Sequence, residues 1–110
     1  MQTKWILLIS FLLMVTGVFA QETIRIGIIG LDTSHSPAFV KAFNADKPKP
    51  EYAGFKVVAA YPYGSKTIKS SYDRIPKFTE EVKKYGVTIS NSIEELLKQV
   101  DCVMLETNDG

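Results

Sequence analysis

Beyond an apolar leader, the chain alternates between short apolar runs and segments whose apolar residues recur every three or four positions. Continuous apolar runs bounded by turn residues are typical of strands buried on both faces. The wider spacing is typical of helices that pack against a sheet. The pattern predicts the order β-α-β-α-β-α-β. Strands are predicted at 23–29, 55–61, 87–89 and 101–106, and helices are predicted to begin at residues 37, 76 and 93.

Local signals mark the ends of the predicted helices. Ser36-Pro37 is typical of an N-cap followed by proline at the first helical position, and Gly86 is placed to end the second helix. Ser92 and Glu95 form a capping box, in which the hydroxyl and the carboxylate accept from free backbone amides reciprocally. Strict alternation of strands and helices predicts an α/β fold with a doubly wound parallel sheet.

The first twenty residues have the pattern of a secretory signal peptide. Lys4 precedes an uncharged, mostly apolar run, and Val18-Phe19-Ala20 provides a cleavage site before Gln21. A membrane anchor is the alternative, but the run is shorter than the roughly 20 apolar residues of a spanning helix. Without a twin-arginine pair, the general secretory route is expected. We therefore expect a periplasmic or extracellular protein with no stable membrane anchor after cleavage.

Charge and cysteine content bear on which partners and which covalent or metal sites are expected. Loss of Lys4 with the leader lowers Lys+Arg from 13 to 12, against 12 Asp+Glu, so the mature chain is formally neutral. A nucleic-acid binder normally shows a basic face, so no nucleic-acid partner is expected. Cys102 is the single cysteine, which excludes a disulfide within this chain. We expect it as a buried thiol in the fourth strand, and no Cys/His spacing indicates a metal site.

Ligands of doubly wound sheets bind beyond the carboxyl ends of the strands. Here the loops at those ends are 30–36, 61–66 and 106–110. The turn Leu31–Ser36 is the most unusual of them. It either hydrogen-bonds a polar ligand, with His35 as acid, base or donor, or satisfies its own backbone in an Asx- or ST-type turn.

Several motifs together resemble the Gfo/Idh/MocA oxidoreductases. They are Arg25–Gly30 in the first strand, Ser92–Leu97 in the third helix, Asp101–Leu105 in the fourth strand, and Thr107 after it. The resemblance spans residues 23–110. It implies that residues 21–110 are the N-terminal portion of a Rossmann-type NAD(P)-binding domain, truncated after its fourth strand, with the second domain absent. The family's Glu-Lys-Pro motif lies outside this sequence, so no catalytic residue is assigned.

The resemblance also implies a ligand set. The cofactor is NAD or NADP, the substrate is a small molecule such as a sugar or polyol, and homo-oligomers form through the second domain. The cofactor would pack against the first strand and its turn, with the loop after the fourth strand opposite. The expected cofactor-binding residues are Gly27, Gly30, Leu31, Asp32, Thr33, Ser34, His35, Tyr61, Thr107 and Asn108.

Departures from the dinucleotide-binding pattern support a second hypothesis. Reading Gly30 as the first glycine of G-x-G-x-x-G, Asp32 and His35 occupy the other two glycine positions. Tyr61-Pro62 stands where an acidic residue usually contacts the ribose, although Ser65 and Lys66 could meet a ribose phosphate instead. The alternative function is therefore an exported binding or scaffold protein that keeps the Rossmann fold without using a nicotinamide cofactor.

Overall fold

The computed structural model describes residues 22–109; the expected signal peptide at 1–20 lies outside the described residues. The described part has the predicted alternation, with one additional short helix and one 3₁₀ turn. Its elements are β1 (Ile24–Ile29), α1 (His35–Phe43), a 3₁₀ turn (Pro50–Tyr52), β2 (Phe55–Tyr61), α2 (Lys69–Tyr72), α3 (Ile75–Lys83), β3 (Thr88–Ile89), α4 (Ile93–Leu97) and β4 (Cys102–Leu105).

The four strands form one parallel sheet in the order β3-β2-β1-β4. The α/β class and the parallel sheet are therefore confirmed. Because every pair is parallel, the carboxyl ends of the strands lie at the same edge. The order places β1 between β2 and β4, so the loops that follow these three strands are neighbours.

Helices pack on both faces of the sheet. On one face, Ile26 and Ile28 of β1 share the main hydrophobic core with Val40 of α1 and with Phe78 and Val82 of α3. On the other face, a Cβ added at Gly27 would lie 2.7 Å from Leu96 Cδ2 of α4. Gly27 is thus a packing position, at which the absence of a side chain allows α4 to approach the sheet closely.

Asn44, the residue after α1, binds the backbone of β2 with its side-chain amide. Its Nδ2 donates to the Val57 carbonyl at 2.8 Å, and its Oδ1 accepts from the Val57 N–H at 2.8 Å. The register between β1 and β2 shifts just after this point, between Ile26 and Gly27. β3 pairs with β2 only at Ala59 and Ala60, so Asn44 supplies partners to the Val57 backbone ahead of that pairing.

Two predictions about helix starts need correction. The first helix begins at His35, not Pro37, and Ser36 is no N-cap: its buried hydroxyl donates to the Gly30 carbonyl at 2.7 Å. The second regular helix begins at Ile75, one residue before Pro76. Both differences are of one or two residues, the range in which helix ends vary, and at the first helix the Ser36 hydroxyl is committed to the Gly30 carbonyl instead of to a cap.

Two other helix-end signals are confirmed in substance. Gly86 follows α3 with a φ of +81°. Ser92 Oγ accepts from Glu95 N at 3.0 Å, as a capping box requires. The reciprocal bond falls one residue earlier than expected, since Glu95 Oε2 accepts from Asn91 N at 2.9 Å.

Cys102 is exposed, so the prediction of a buried thiol is wrong. β4 pairs with β1 and lies at the edge of the sheet formed by the described strands. An edge strand lacks the neighbour that would cover it on its far side. Val103 and Leu105 of the same strand are exposed as well, with relative exposures of 39% and 59%.

An ion pair joins the starts of β1 and β4. Asp101 Oδ2 accepts from Arg25 N at 2.9 Å and from Nε at 3.1 Å, and Oδ1 accepts from Nη2 at 3.0 Å. Hydrogen bonds from the Arg25 side chain and backbone hold the pKa of Asp101 below its ordinary value. A bidentate pair of this kind has a defined geometry, so it aligns the starts of the two strands in addition to pairing their charges.

We predict that Asp101→Asn lowers the Tm at neutral pH and that this difference disappears in acid. A carboxyl whose pKa is lowered in the folded state stabilises the fold above its unfolded pKa, near pH 4, and loses that contribution as pH falls through the folded pKa. Thermal unfolding from pH 7 to pH 2 measures this. Glu94→Gln, at an exposed position with no ion pair among residues 22–109, is the control. A Tm difference for Asp101→Asn that is constant with pH would contradict the prediction.

Candidate functional site

Three loops meet at the carboxyl edge of the sheet and form the carboxyl-end crevice, defined here as residues 30–36, 61–65 and 106–108. Backbone hydrogen bonds hold the loops side by side. Gly30 N donates to the Tyr61 carbonyl at 3.1 Å, Leu31 N to the Tyr63 carbonyl at 2.8 Å, and Glu106 N to the Ile29 carbonyl at 2.9 Å. The crevice therefore lies above β1, where the chain crosses from one side of the sheet to the other.

Gly30 allows the first and third loops to touch. Its φ is +110°, a conformation that L side chains rarely adopt. A Cβ at this position would lie only 2.5 Å from the backbone nitrogen of Thr107. Backbone cannot move aside as a flexible side chain can, so the close approach of β1 and the loop after β4 requires glycine.

Asp32 points into the protein rather than toward solvent. It is fully buried, and its Oδ2 accepts from the Ser65 N–H at 2.8 Å. Its Oδ1 and Oδ2 also accept from the Asn108 N–H at 3.1 and 3.3 Å. Gly64 makes room for this side chain, because a Cβ at Gly64 would lie 2.6 Å from Asp32 Cβ. The carboxylate is thus engaged by the loops after β2 and β4.

The hydroxyl groups of the first loop are also engaged within the protein. Thr33 Oγ1 donates to the Glu106 carbonyl at 3.0 Å, and Ser36 Oγ donates to the Gly30 carbonyl. Of the two alternatives for this turn, the Asx- or ST-type turn, in which Asp32, Thr33 and Ser34 satisfy local backbone, is not what forms. Asp32 and Thr33 bond instead to loops distant in sequence.

The amino end of α1 faces the same crevice. The N–H groups of Thr33, Ser34 and His35 have no acceptor among the described residues, whereas Ser36 N donates to the Thr33 carbonyl at 3.4 Å. Amides at a helix N-terminus attract anions. Ser34 and His35 are exposed, so this end of the helix is accessible to a ligand.

Glu106 and His35 lie close together at the amino end of α1. His35 Nδ1 is 3.9 Å from Glu106 Oε2, and the exposed fractions of the two side chains are 73% and 19%. The distance is too long for a hydrogen bond. Sequence analysis placed the loop but did not single out Glu106, because an acidic residue after an edge strand carries no local signal of a site.

Thr107 contributes the unsatisfied polar atom of the crevice. Among the described residues, its Oγ1 is the buried side-chain oxygen or nitrogen for which the structure shows no hydrogen-bond partner. Such atoms are uncommon because burial without a partner costs free energy. The neighbouring Asn108 is satisfied, since its Nδ2 donates to Ser71 Oγ at 3.3 Å. Thr107 therefore carries a buried hydroxyl whose hydrogen-bonding capacity the described residues leave unused.

The remaining expected site residues are partly or fully buried. Tyr61 stacks against Tyr63 with ring centroids 6.4 Å apart, and both lie half-buried at the end of β2. Leu31 is fully buried in the main core, and Gly27 lies inside β1 against α4. Ser65, considered for a ribose phosphate, is buried, and its Oγ accepts from Ile68 N at 3.0 Å. Lys66 remains exposed.

Within residues 22–109, no group of three or more His, Cys, Asp or Glu side chains is placed to hold a metal ion. None of the helices in that range has the length and apolar character needed to cross a membrane. No family model, curated protein or solved structure matches the chain. The site is therefore interpreted from its own geometry and from the motifs described above.

Proposed function

We propose that this chain is the nucleotide-binding segment of an exported Gfo/Idh/MocA-like NAD(P)-dependent oxidoreductase. The strand order β3-β2-β1-β4 equals that of the first four strands of a Rossmann sheet. The motifs that resemble the family lie in β1, in α4 and β4, and in the loop after β4. The substrate is a sugar or polyol, and oligomers form through the second domain that the resemblance implies.

The observation that carries the proposal is the group of free amides at the amino end of α1. The Thr33, Ser34 and His35 N–H groups lie directly after β1, at the point where the loops after β2 and β4 converge. A pyrophosphate accepts from amides in this position in dinucleotide-binding sheets. The Asp32 carboxylate leaves these amides free, since it is buried and accepts from the Ser65 and Asn108 N–H groups of the other two loops.

The residues present fit a nicotinamide dinucleotide in one further respect. The orphaned Thr107 Oγ1 needs a hydrogen-bond partner at this edge of the sheet, and a nucleotide offers many. Residues 33–35 would hold the phosphates, and Thr107 with Asn108 would line the opposite side. When bound, the cofactor supplies hydride transfer to or from a hydroxyl-bearing carbon. The contribution of these residues is to bind and orient it.

A binding experiment tests the proposal. Trp5 is the single tryptophan and belongs to the leader, so NADH and NADPH emission can be followed in the mature protein without tryptophan background from residues 21–110. Thr107→Val removes the orphaned hydroxyl at constant shape and should weaken binding about three- to tenfold. Thr88→Val, at an exposed position in β3, is the matched control. Mature protein that binds neither nucleotide at millimolar concentration would refute the proposal.

A specific observation favours a second candidate, a binding or scaffold protein without a nicotinamide cofactor. Glu106 is mostly buried beside the amino end of α1, and Tyr61-Pro62 ends β2 where a ribose-binding acid usually lies. A carboxylate at a helix N-terminus competes with a bound anion. Under this candidate, wild-type protein binds no dinucleotide, while Glu106→Gln leaves the fold unchanged. Nucleotide released on denaturing protein from its native compartment, detected by mass spectrometry, would exclude it.

A further inference from the structure

Asp32 links two loops that lie on opposite sides of β1. The Ser65 N–H belongs to the loop after β2, and the Asn108 N–H belongs to the loop after β4. These donors are 33 and 76 residues away in the sequence. A single carboxylate thus connects all three loops of the carboxyl-end crevice.

The chemistry of the contact favours a carboxylate, because both Asp32 oxygens accept from N–H donors. Both donors are backbone amides, and no lysine, arginine or histidine among residues 22–109 forms an ion pair with Asp32. An ionised carboxylate accepts at both oxygens, whereas an asparagine amide has one accepting oxygen and one donating nitrogen. The contact also requires a glycine at position 64, because any side chain there would collide with Asp32 Cβ and Cγ.

We propose that Asp32 is a positioning residue, which holds the loops after β2 and β4 in place before a ligand enters the crevice. Ligands are then contacted by the neighbouring amides of Thr33–His35 and by Thr107, not by the Asp32 carboxylate. Preorganisation of this kind raises affinity because binding no longer has to order the loops. This proposal rests on the proposed function in one respect, namely that the ligand is a nicotinamide dinucleotide.

Amide hydrogen exchange in the ligand-free mature protein tests the positioning. In Asp32→Ala, the Ser65 and Asn108 amides lose both acceptor oxygens and should exchange on the order of tenfold faster or more. In Asp32→Asn, an oxygen at the Oδ2 position still accepts from Ser65 N, but an NH2 group replaces Oδ1, the nearer acceptor of the Asn108 N–H. The Ser65 amide should therefore stay protected, while the Asn108 amide should exchange faster. Val82→Ala, which opens the core at α3 and removes none of these hydrogen bonds, is the control for general loss of stability.

A second readout separates positioning from a purely structural effect. At equal Tm loss, the Asp32 variants should bind NADH about tenfold more weakly than Val82→Ala, because their loops must be ordered on binding. Equal protection of Ser65 and Asn108 in Asp32→Asn and Val82→Ala would overturn the proposal. If wild-type protein binds no nucleotide, the proposed function fails, and the exchange pattern alone decides the role of Asp32.

Discussion

Gly30→Ala is expected to lower the free energy of unfolding by about 3 kcal/mol. A non-glycine residue at positive φ costs roughly 1–3 kcal/mol, and Gly30 has a φ of +110°. The added Cβ would also lie 2.5 Å from the Thr107 backbone nitrogen, so β1 and the loop after β4 must separate. Denaturant unfolding of the mature protein measures the loss.

Gly54→Ala is a matched control for Gly30→Ala. Gly54 has a φ of +86°, yet an added Cβ would meet nothing within 4 Å. Its substitution therefore isolates the cost of backbone conformation, about 1 kcal/mol. If both variants lose the same free energy of unfolding, Gly30 is required only for its positive φ. The loop at Thr107 would then move away from the added Cβ without a measurable loss of stability.

Leu31→Ala is expected to destabilise the protein by about 2–5 kcal/mol, the usual range for a buried leucine. Leu31 follows Gly30 in the crevice, and sequence analysis counted it among the cofactor-binding residues. In the structure its side chain has no exposed surface and belongs to the core with Ile28 and Val40. Truncation therefore leaves a cavity beneath the first turn. Thermal and denaturant unfolding of the variant measure the effect.

Leu97→Ala provides the comparison for Leu31→Ala. Leu97 lies in α4 and is 52% exposed, so the same truncation removes little buried surface and should cost under about 1 kcal/mol. Leu31→Ala with a similarly small effect would mean that the first turn is loosely packed. Nucleotide affinity measured on the folded Leu31→Ala fraction tests the expected cofactor contact separately.

Strand positions were the most predictable feature of this fold. The predicted second strand coincides with Phe55–Tyr61, and the other three differ by one residue at one end or both. A strand buried on both faces must be continuously apolar, and that property is visible without tertiary information. The short helix α2, Lys69–Tyr72, was not predicted, because its four residues show no apolar periodicity.

The position of the candidate site was also predictable, but the roles of its side chains were not. Parallel strands bring their carboxyl ends to one edge, so the three loops were expected to meet. What each side chain does there depends on its partners. Asp32, expected among the cofactor-binding residues, turns inward because Ser65 and Asn108 present their N–H groups to it. Neither partner is near Asp32 in sequence.

The amino-acid sequence by itself determined the alternation of elements, the parallel sheet and the edge at which the three loops meet. These follow from apolar periodicity and turn residues, which act over a few positions. Only the tertiary structure decided that Cys102 is exposed, that Ser36 binds the Gly30 carbonyl, and that Thr107 keeps an unsatisfied hydroxyl. The reason is physical: burial and hydrogen bonding depend on groups that folding brings together from distant parts of the chain.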